Sequence, residues 1–393
     1  MSSASLLLVL NAGSSSIKFA LFDVSSGPPV RQAVWSGKAD GITTPHATFS
    51  ETDRPTEPLA LPVDQPYHAA LTRIRERVTE RLGNAQLRAV AHRVVHGGTK
   101  YFDPVRVDAA VLADLRSYIP LAPLHQPFAL EAIAALLRLR PELPQVACFD
   151  TGFHRTMPRV EQMLPLPRSA WAQGLRRYGF HGLSYQYLAV ALPERHGDAA
   201  RGRTLCAHLG SGASLCAMQN LSSVATTMGF SALDGLMMGT RCGALDPGAV
   251  IHLMQVQRLS LERVAEMLYH ESGLLGVSGL SPDPRVLLEH ENDPAVRDAL
   301  ALYVHRIVRE VGALAAVLGG LDMLAFTAGI GEHNGAIRSR VCAALGFLGI
   351  ALDETANAAG APVISTPASR VRVVVEPTNE EWIAARAAAR LLT

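Results

Sequence analysis

Residues 5–24 read SLLLVLNAGSSSIKFALFDV, and residues 204–218 read TLCAHLGSGASLCAM. In each stretch two β-rich runs flank a short turn of Gly and Ser, the pattern of a β-hairpin. One such hairpin is a weak signal. Two of them, about 200 residues apart and each opening one half of the chain, predict a duplicated domain. No stronger internal identity accompanies the hairpins, so the repeat is one of architecture.

Working outward, the Pro-rich stretch Pro45–Pro66 reads as loop or edge structure, and Tyr67–Leu82 has helical spacing. Arg88–Val95 is a short buried-strand candidate ending at the turn His96-Gly97-Gly98. Glu131–Leu139 is helical, Val146–Phe149 is a strand ending at Asp150, and a Pro-interrupted loop follows from His154 to Pro167. Beyond the second hairpin, Met323–Phe326 is a strand that leads into Gly329-Ile330-Gly331 and a helix from Ala336. Val371–Val375 is a strand, Pro377-Thr378-Asn379 a turn, and a helix starts at Glu380. Strands alternate with helices throughout, so the fold class is α/β. The expected boundary lies near Asp150: a first domain of residues 1–150 to which 380–393 return, and a second of 151–379.

The 393 residues suit two domains. With 48% hydrophobic residues and a formal net charge of +1, the chain is neither disordered nor basic enough to suggest nucleic acid or a membrane surface as partner. The densest basic run, Arg73 to Arg81, also carries Glu76 and Glu80 and reads as a solvated helix face. The longest apolar helix candidate, Ala299–Leu318, is interrupted by His305, Arg306, Arg309 and Glu310, so no membrane span is expected. The five cysteines include no CxxC, and the apolar run Leu6–Leu10 lacks a basic segment before it and a cleavage site after it. Free thiols and no leader point to the cytoplasm.

Several segments are rich in chemistry. The turn Asn11 to Ser16 with Lys18 beyond it offers hydroxyls, backbone N–H groups and a cation for phosphate oxygens, or is an ordinary hairpin turn with a surface Lys. It is no Walker A loop, because GxxxxGK[ST] is absent. Gly210-Ser211-Gly212 repeats the same choice. Gly329-Ile330-Gly331 either lets a nucleotide approach the backbone or serves strand–helix packing. Arg93, His96, His125, Asp150, His154, His181, Arg241 and Asp246 are polar residues in apolar or Gly-rich settings. Two arginines could clamp a transferring phosphoryl group, whose charge spreads over three oxygens, or each could belong to a structural ion pair. Asn379-Glu380-Glu381 reads as an N-cap with an acidic first turn, and alternatively as a carboxylate source for Mg²⁺.

Taken in order, NAGSSSIKF, AHRVVHGG, PLAPLHQP, FDTGFHRTMP, RRYGFHG, HLGSGAS, GLMMGTRCGALDPG, FTAGIGEH and PTNEE resemble the acetate kinase family over nearly the whole chain. The resemblance implies the fold of sugar kinases, actin and chaperone ATPases: two related actin-like, ribonuclease H-like α/β domains around a nucleotide cleft. It implies reversible, direct in-line transfer of the ATP γ-phosphoryl group to acetate, giving acetyl phosphate and ADP, with Mg²⁺ or Mn²⁺ and as a homodimer. By motif, Asn11 and Glu380 are metal-associated, and Ser14, Ser16 and Lys18 belong to the phosphate loop. Arg93, Asp150, His181 and Arg241 are the catalytic set. Val95, Leu124 and Phe180 line the acyl pocket, with His125 and Ala232 beside the substrate. His208, Leu209, Gly210, Ser211, Gly212, then Asp283, Pro284, Arg285, then Gly331, Glu332, His333, Asn334 and Gly335 line the ATP site. On chemical grounds Asp150 is expected to orient Arg93 or Arg241 rather than to abstract a proton.

The departures from the family pattern are Ser211 and His333 for Asn, Leu183 and Tyr185 within RYGFHGTSH, and Ala232 for the Pro of FTPLEGL. Ala232 predicts a roomier pocket and better tolerance of propionate. The rivals are a propionate or short-chain carboxylate kinase and, from another class, an actin- or chaperone-like ATPase without a carboxylate acceptor.

Overall fold

The computed structural model describes residues 4–13, 15–123 and 125–392. The chain forms two compact units, Met1–Gly152 with Asn379–Thr393, and Phe153–Thr378. The first unit holds β1 (Ser5–Ala12), β2 (Ser16–Asp23), β3 (Trp35–Asp40), β4 (Thr48–Glu51), β5 (Arg54–Pro58), β6 (Gln86–Val94), β7 (Val105–Arg106) and β8 (Gln145–Phe149). They make one sheet in the order β5-β4-β3-β2-β1-β6-β8-β7. The second unit holds β9 (Arg203–Leu209), β10 (Ala213–Gln219), β11 (Ser222–Thr226), β12 (Met323–Thr327) and β13 (Arg372–Val375), in the order β11-β10-β9-β12-β13.

The two sheets repeat one another. The run β3-β2-β1 is antiparallel and β1-β6-β8 is parallel. In the same way β11-β10-β9 is antiparallel and β9-β12-β13 is parallel. This is the actin-like, ribonuclease H-like arrangement, twice. The hairpin of each unit shares a register: Ala12 pairs with Ile17 beside the first turn and Leu209 with Ala213 beside the second. One step back lie the pairs Asn11–Lys18 and His208–Ser214. Parallel strands need long crossovers, which the helices Pro66–Leu82 and Gln126–Leu139 supply in the first unit and Pro294–Leu318 and Gly335–Ala344 in the second.

The core of the first unit gathers around Phe19, whose ring lies 4.9 Å from that of Trp35 and 5.5 Å from that of Phe49. Gly37 faces Phe19 across β2 and β3, and a Cβ there would sit 2.3 Å from the ring. The closing helix, Glu380–Leu392, buries Trp382, Ile383, Ala384, Ala385 and Ala388 against β1 and β6. Its start is tied down by Asn379 Nδ2 donating to the Arg31 carbonyl and Trp382 Nε1 donating to that of Pro29.

One sequence reading is corrected and another is extended. The basic run Arg73–Arg81 is not a solvated face throughout. Arg77 is buried, donates to Glu51 of β4 at 2.7 Å and pairs with Glu80, while Arg73 and Arg81 reach Glu57 and Asp53. The run fastens its helix to the β4–β5 edge, which charge spacing along one helix does not reveal. The helix expected from Ala336 is present, starting at Gly335, and a separate short helix precedes it. Ala328–His333 is already helical, so the glycines lie within a helical turn, and Asn334 caps the following helix Gly335–Ala344. No helix among the described residues is long and apolar enough to cross a membrane.

Burial pushes His92 and His96 down to about 4 from an ordinary 6.5, the Gln145 hydrogen bond to His92 opposing it. A folded value below the unfolded one means that the stability is complete above about pH 6.5 and is lost as pH falls toward 4. A displacement of that size is worth roughly 3 kcal/mol per histidine. The thermal midpoint of wild type is therefore expected to fall further between about pH 7.5 and about pH 5 than that of His92→Gln. Equal losses in the two proteins would contradict this.

Candidate active site

In the first unit, β1, β6 and β8 run parallel and end at one edge. Asn11 near the end of β1, Arg93 near that of β6 and Asp150 just beyond β8 are thereby brought together. Ligands in open α/β sheets gather outside such carboxyl ends. Arg93 donates through Nε and Nη2 to the two Asp150 oxygens, at 2.8 and 2.5 Å, a fork-to-fork pair. Its Nη1 donates to Asn11 Oδ1 at 3.0 Å. The Asn11 amide is thereby oriented, and its Nδ2 donates to Glu380 and Glu381 at 3.2 Å each. Those carboxylates arrive on the first turn of the closing helix, whose cap is Asn379, its Oδ1 accepting from Trp382 N.

Asp150 is 1% exposed. Burial works against the Arg93 charge, but the Asp150 and Glu380 carboxylates outweigh it and hold the guanidinium firmly protonated. Burial, with Asp150 and Glu381 nearby, raises Glu380 against the opposing pull of Arg93 and Lys18. Three carboxylates against the Arg93 guanidinium and the Lys18 ammonium still leave the cluster short of positive charge, and all its acceptor groups are oxygens. That donor set fits Mg²⁺, which takes one or two carboxylates and keeps water for its other positions. No group of three or more His, Cys, Asp or Glu among the described residues forms a dedicated metal cage. Lys18 stands exposed on β2 opposite Asn11, and Ser16 begins that strand with its carbonyl accepting from Gly13 N. Ser14 and Leu124 lie outside the described residues. Val95 is buried, and His125 precedes the helix Gln126–Leu139.

The second unit carries the other constellation. His181 adopts a left-handed φ of 58° at the cap of the helix Gly182–His196, and its Nδ1 lies 2.8 Å from Ser214 Oγ on β10. His208 Nδ1 lies 2.9 Å from Ser184 Oγ, and the His181 and His208 rings stack at 4.1 Å. Arg241 Nη1 donates to the Ala232 carbonyl at 3.0 Å, so Ala232 holds that arginine through its backbone. A Cβ built on Gly212 would lie 3.3 Å from His181 Nε2 and 3.5 Å from Arg241 Nη1, so both groups converge on this turn. Gly210 N donates to the Gly212 carbonyl, closing the turn after the buried Leu209. The Ser211 carbonyl accepts from Gly239 N, and Gly239 abuts Pro282, which draws the Asp283–Arg285 segment to the same place. There Asp283 caps the helix Pro284–Glu289 and pairs with the exposed Arg285.

The backbone leading into His181 is clamped. His154 Nε2 donates to the Phe180 carbonyl at 2.9 Å, and Nδ1 lies 2.9 Å from Ser223 Oγ. Gly179, at φ +76°, leaves no room for a Cβ, which would sit 2.5 Å from the His154 ring. His154 is thus a structural histidine. So is His96, whose Nδ1 accepts from Gly98 N. Asp246 caps the helix Pro247–Gln255 and joins neither constellation.

Sequence reasoning missed two organising residues. Buried Arg338 donates to the Gly331 and Glu332 carbonyls and to the Asn357 carbonyl and side chain, fixing the Gly331–Gly335 segment. Buried Gln126 holds both backbone groups of His96, so the loop after β6 is fixed beside the start of its helix. Arg338 belongs to no recognisable spacing, and Gln126 stands inside the quoted segment PLAPLHQP, but only the tertiary contacts show what each holds. Glu332 points its carboxylate at the Ala328 and Thr378 amides, a local clamp, while His333 is exposed.

The sequence model of the Acetokinase family matches residues 6–386. An acetate kinase of Rhodopseudomonas palustris is 49% identical over 390 residues, covering 98% of each chain. The crystal structure of Porphyromonas gingivalis acetate kinase superimposes with a TM-score of 0.86 at 35% identity, covering 99% of this chain and 100% of that one. A propionate kinase from Francisella tularensis superimposes with a TM-score of 0.88 at 33% identity, covering 98% of both.

Proposed function

This chain belongs to the acetokinase family, and on that premise we propose that it transfers the ATP γ-phosphoryl group reversibly to acetate, forming acetyl phosphate and ADP. The observation that carries this reading is the half-buried, doubly anchored Arg93 guanidinium at the carboxyl ends of β1, β6 and β8. A carboxylate is already a nucleophile at neutral pH, so the reaction needs no strong base. Its difficulty is bringing an anion up to a polyanion, which positioning and fixed positive charge overcome.

Arg93 holds the acetate carboxylate, and Asp150, with both oxygens engaged, positions Arg93 rather than taking a proton. His181 and Arg241 stabilise the charge on the moving phosphoryl group. The Gly210-Ser211-Gly212 turn, Asp283–Arg285 and Gly331–Gly335 bind the nucleotide, and Ser16 and Lys18 attend its phosphates. Asn11, Glu380 and Glu381 hold Mg²⁺ or Mn²⁺, which when bound neutralises phosphate charge. Val95 and Phe180 line the acyl pocket. Ala232 leaves it room, and a methylene in such a pocket is worth about 1–3 kcal/mol. The protein acts in the cytoplasm, which the five free cysteines support. It works as a homodimer, a reading supported by the apolar helix Pro247–Gln255, which has no buried residue and lies among the exposed Leu245, Ile251, Val256 and Leu261.

Trapping with hydroxylamine, using MgATP and acetate, propionate or butyrate, is expected to give acyl phosphate from acetate, with propionate kcat/KM within about a hundredfold of it. ATP hydrolysis without acyl phosphate, indifferent to carboxylate, would overturn the proposal in favour of an actin- or chaperone-like ATPase. Light scattering is expected to report twice the 42.0 kDa chain mass, and Ile251→Glu to shift it toward one. A monomeric wild type would refute the dimer.

A further inference from the structure

We infer that Arg177 is a positioning residue for Arg241: it clamps the limb of the loop whose Ala232 carbonyl holds the Arg241 guanidinium. The catalytic consequence rests on the phosphotransfer reading above; the clamp itself does not.

The loop runs from the end of β11 at Thr226 to Ala244, within the second unit. Its far limb is bonded to neighbouring elements. The Met238 carbonyl accepts from Leu274 N, that of Thr240 from Ser272 N, and Cys242 N donates to the Leu268 carbonyl. The near limb, which carries Ala232, is held by the segment Arg177–Gly179. Tyr178 N and Gly179 N donate to the Gly229 carbonyl at 3.0 and 3.4 Å. Arg177 Nη1 donates to the carbonyls of Thr226, Thr227 and Met228 at 3.1, 3.0 and 3.1 Å, sharing its two protons among them. It also pairs with Asp234 Oδ2 at 3.6 Å, so its contacts bracket Ala232 in the chain.

Three successive carbonyls turned toward one point gather partial negative charge, as the last turn of a helix does, and a cationic side chain satisfies them. A guanidinium stays charged at any working pH, so the clamp is permanent. The glycines of the near limb show how closely it is pressed back on its own stem. Gly235, at φ +94°, crosses where a Cβ would lie 2.7 Å from the Thr227 carbonyl, one of the three that Arg177 holds. At Gly229 a Cβ would lie 2.3 Å from the Asp234 carboxylate. The stem, Asp234 and the return at Gly235 thus meet around one guanidinium. Between them the Ala232 carbonyl accepts from Arg241 Nη1 at 3.0 Å. Releasing the near limb displaces this acceptor, and with it a contact that sets Arg241 beside Gly212.

The test compares Arg177→Met, Arg177→Lys and Asp234→Asn in the intact protein. Hydrogen exchange is read by mass spectrometry in peptides holding the Tyr178 and Ala244 amides, which bond to the near-limb carbonyls of Gly229 and Gly235. Arg177→Met is expected to speed exchange there about tenfold or more, and Asp234→Asn to speed it less. The Leu274 amide, bonded to the far limb, is expected to keep its rate. Arg177→Lys, whose ammonium has three protons for three carbonyls, is expected to exchange nearly as wild type does. In Arg177→Met, kcat for acetyl phosphate formation is expected to fall about 10- to 100-fold with the acetate KM nearly unchanged, since a misplacement of about 1 Å costs about 10²-fold. The same substitution added to Arg241→Ala is expected to cost little more, because the group it positions is gone. Unchanged exchange in Arg177→Met, or in Asp234→Asn where Arg177→Met does not fold, would overturn the proposal. So would a kcat loss that persists in full in the Arg241→Ala background. Faster exchange in a protein that forms no acyl phosphate would uphold the clamp and reject the phosphotransfer reading.

Discussion

The pair Arg93–Asp150 is the interaction on which the first unit's polar edge depends. Asp150 is buried, so losing the guanidinium would leave an uncompensated carboxylate inside the protein, a destabilising change. The pair also orders what surrounds it. Because Arg93 takes the oxygen of Asn11, the amide nitrogen must face Glu380 and Glu381, and the two glutamates are thereby held at the start of the closing helix. One strand from the beginning of the chain, two from its middle and a helix from its end meet through a few side chains. The return of the C-terminal helix to the first unit is what makes that meeting possible.

The second unit shows what duplication of a topology permits. The same hairpin, at the same register step from its turn, supplies Asn11 opposite Lys18 in one unit and His208 opposite Ser214 in the other. The first pair presents an amide beside carboxylates; the second anchors two stacked imidazoles through Ser214 and Ser184. The sheets agree in strand order and direction, while the side chains at their edges have diverged toward different chemistry.

Much of this was legible before any coordinates. Both hairpins, the strand Arg88–Val95, the strand ending at Asp150, and the Asn379 cap follow from local pattern, because turn chemistry and apolar runs are properties of neighbouring residues. The convergence of Asn11, Arg93, Asp150 and Glu380 came from family motifs, since their sequence separations carry no geometric signal. What could not be read were contacts between distant segments. Arg77 looked solvated until Glu51 of the β4–β5 edge met it, and Arg338 has only backbone and amide partners that no spacing announces. Tyr185 appeared only as a departure from a motif, and its hydroxyl meets Ser214, on another element. The helix from Ala336 was legible, but the short helix Ala328–His333 before it was not, because the Glu332 carboxylate on the Ala328 amide that supports its first turn is a contact local pattern does not announce.

The central claim is that Asp150 acts through Arg93. A double-mutant cycle on kcat/KM for acetate, built from Arg93→Ala, Asp150→Ala and the double variant, tests it most directly. If Asp150 serves to hold the guanidinium, the double variant will be no slower than the slower single variant, because the second change removes a partner that has already lost its purpose. If the two losses multiply, Asp150 contributes independently of Arg93, and the account of the site is wrong.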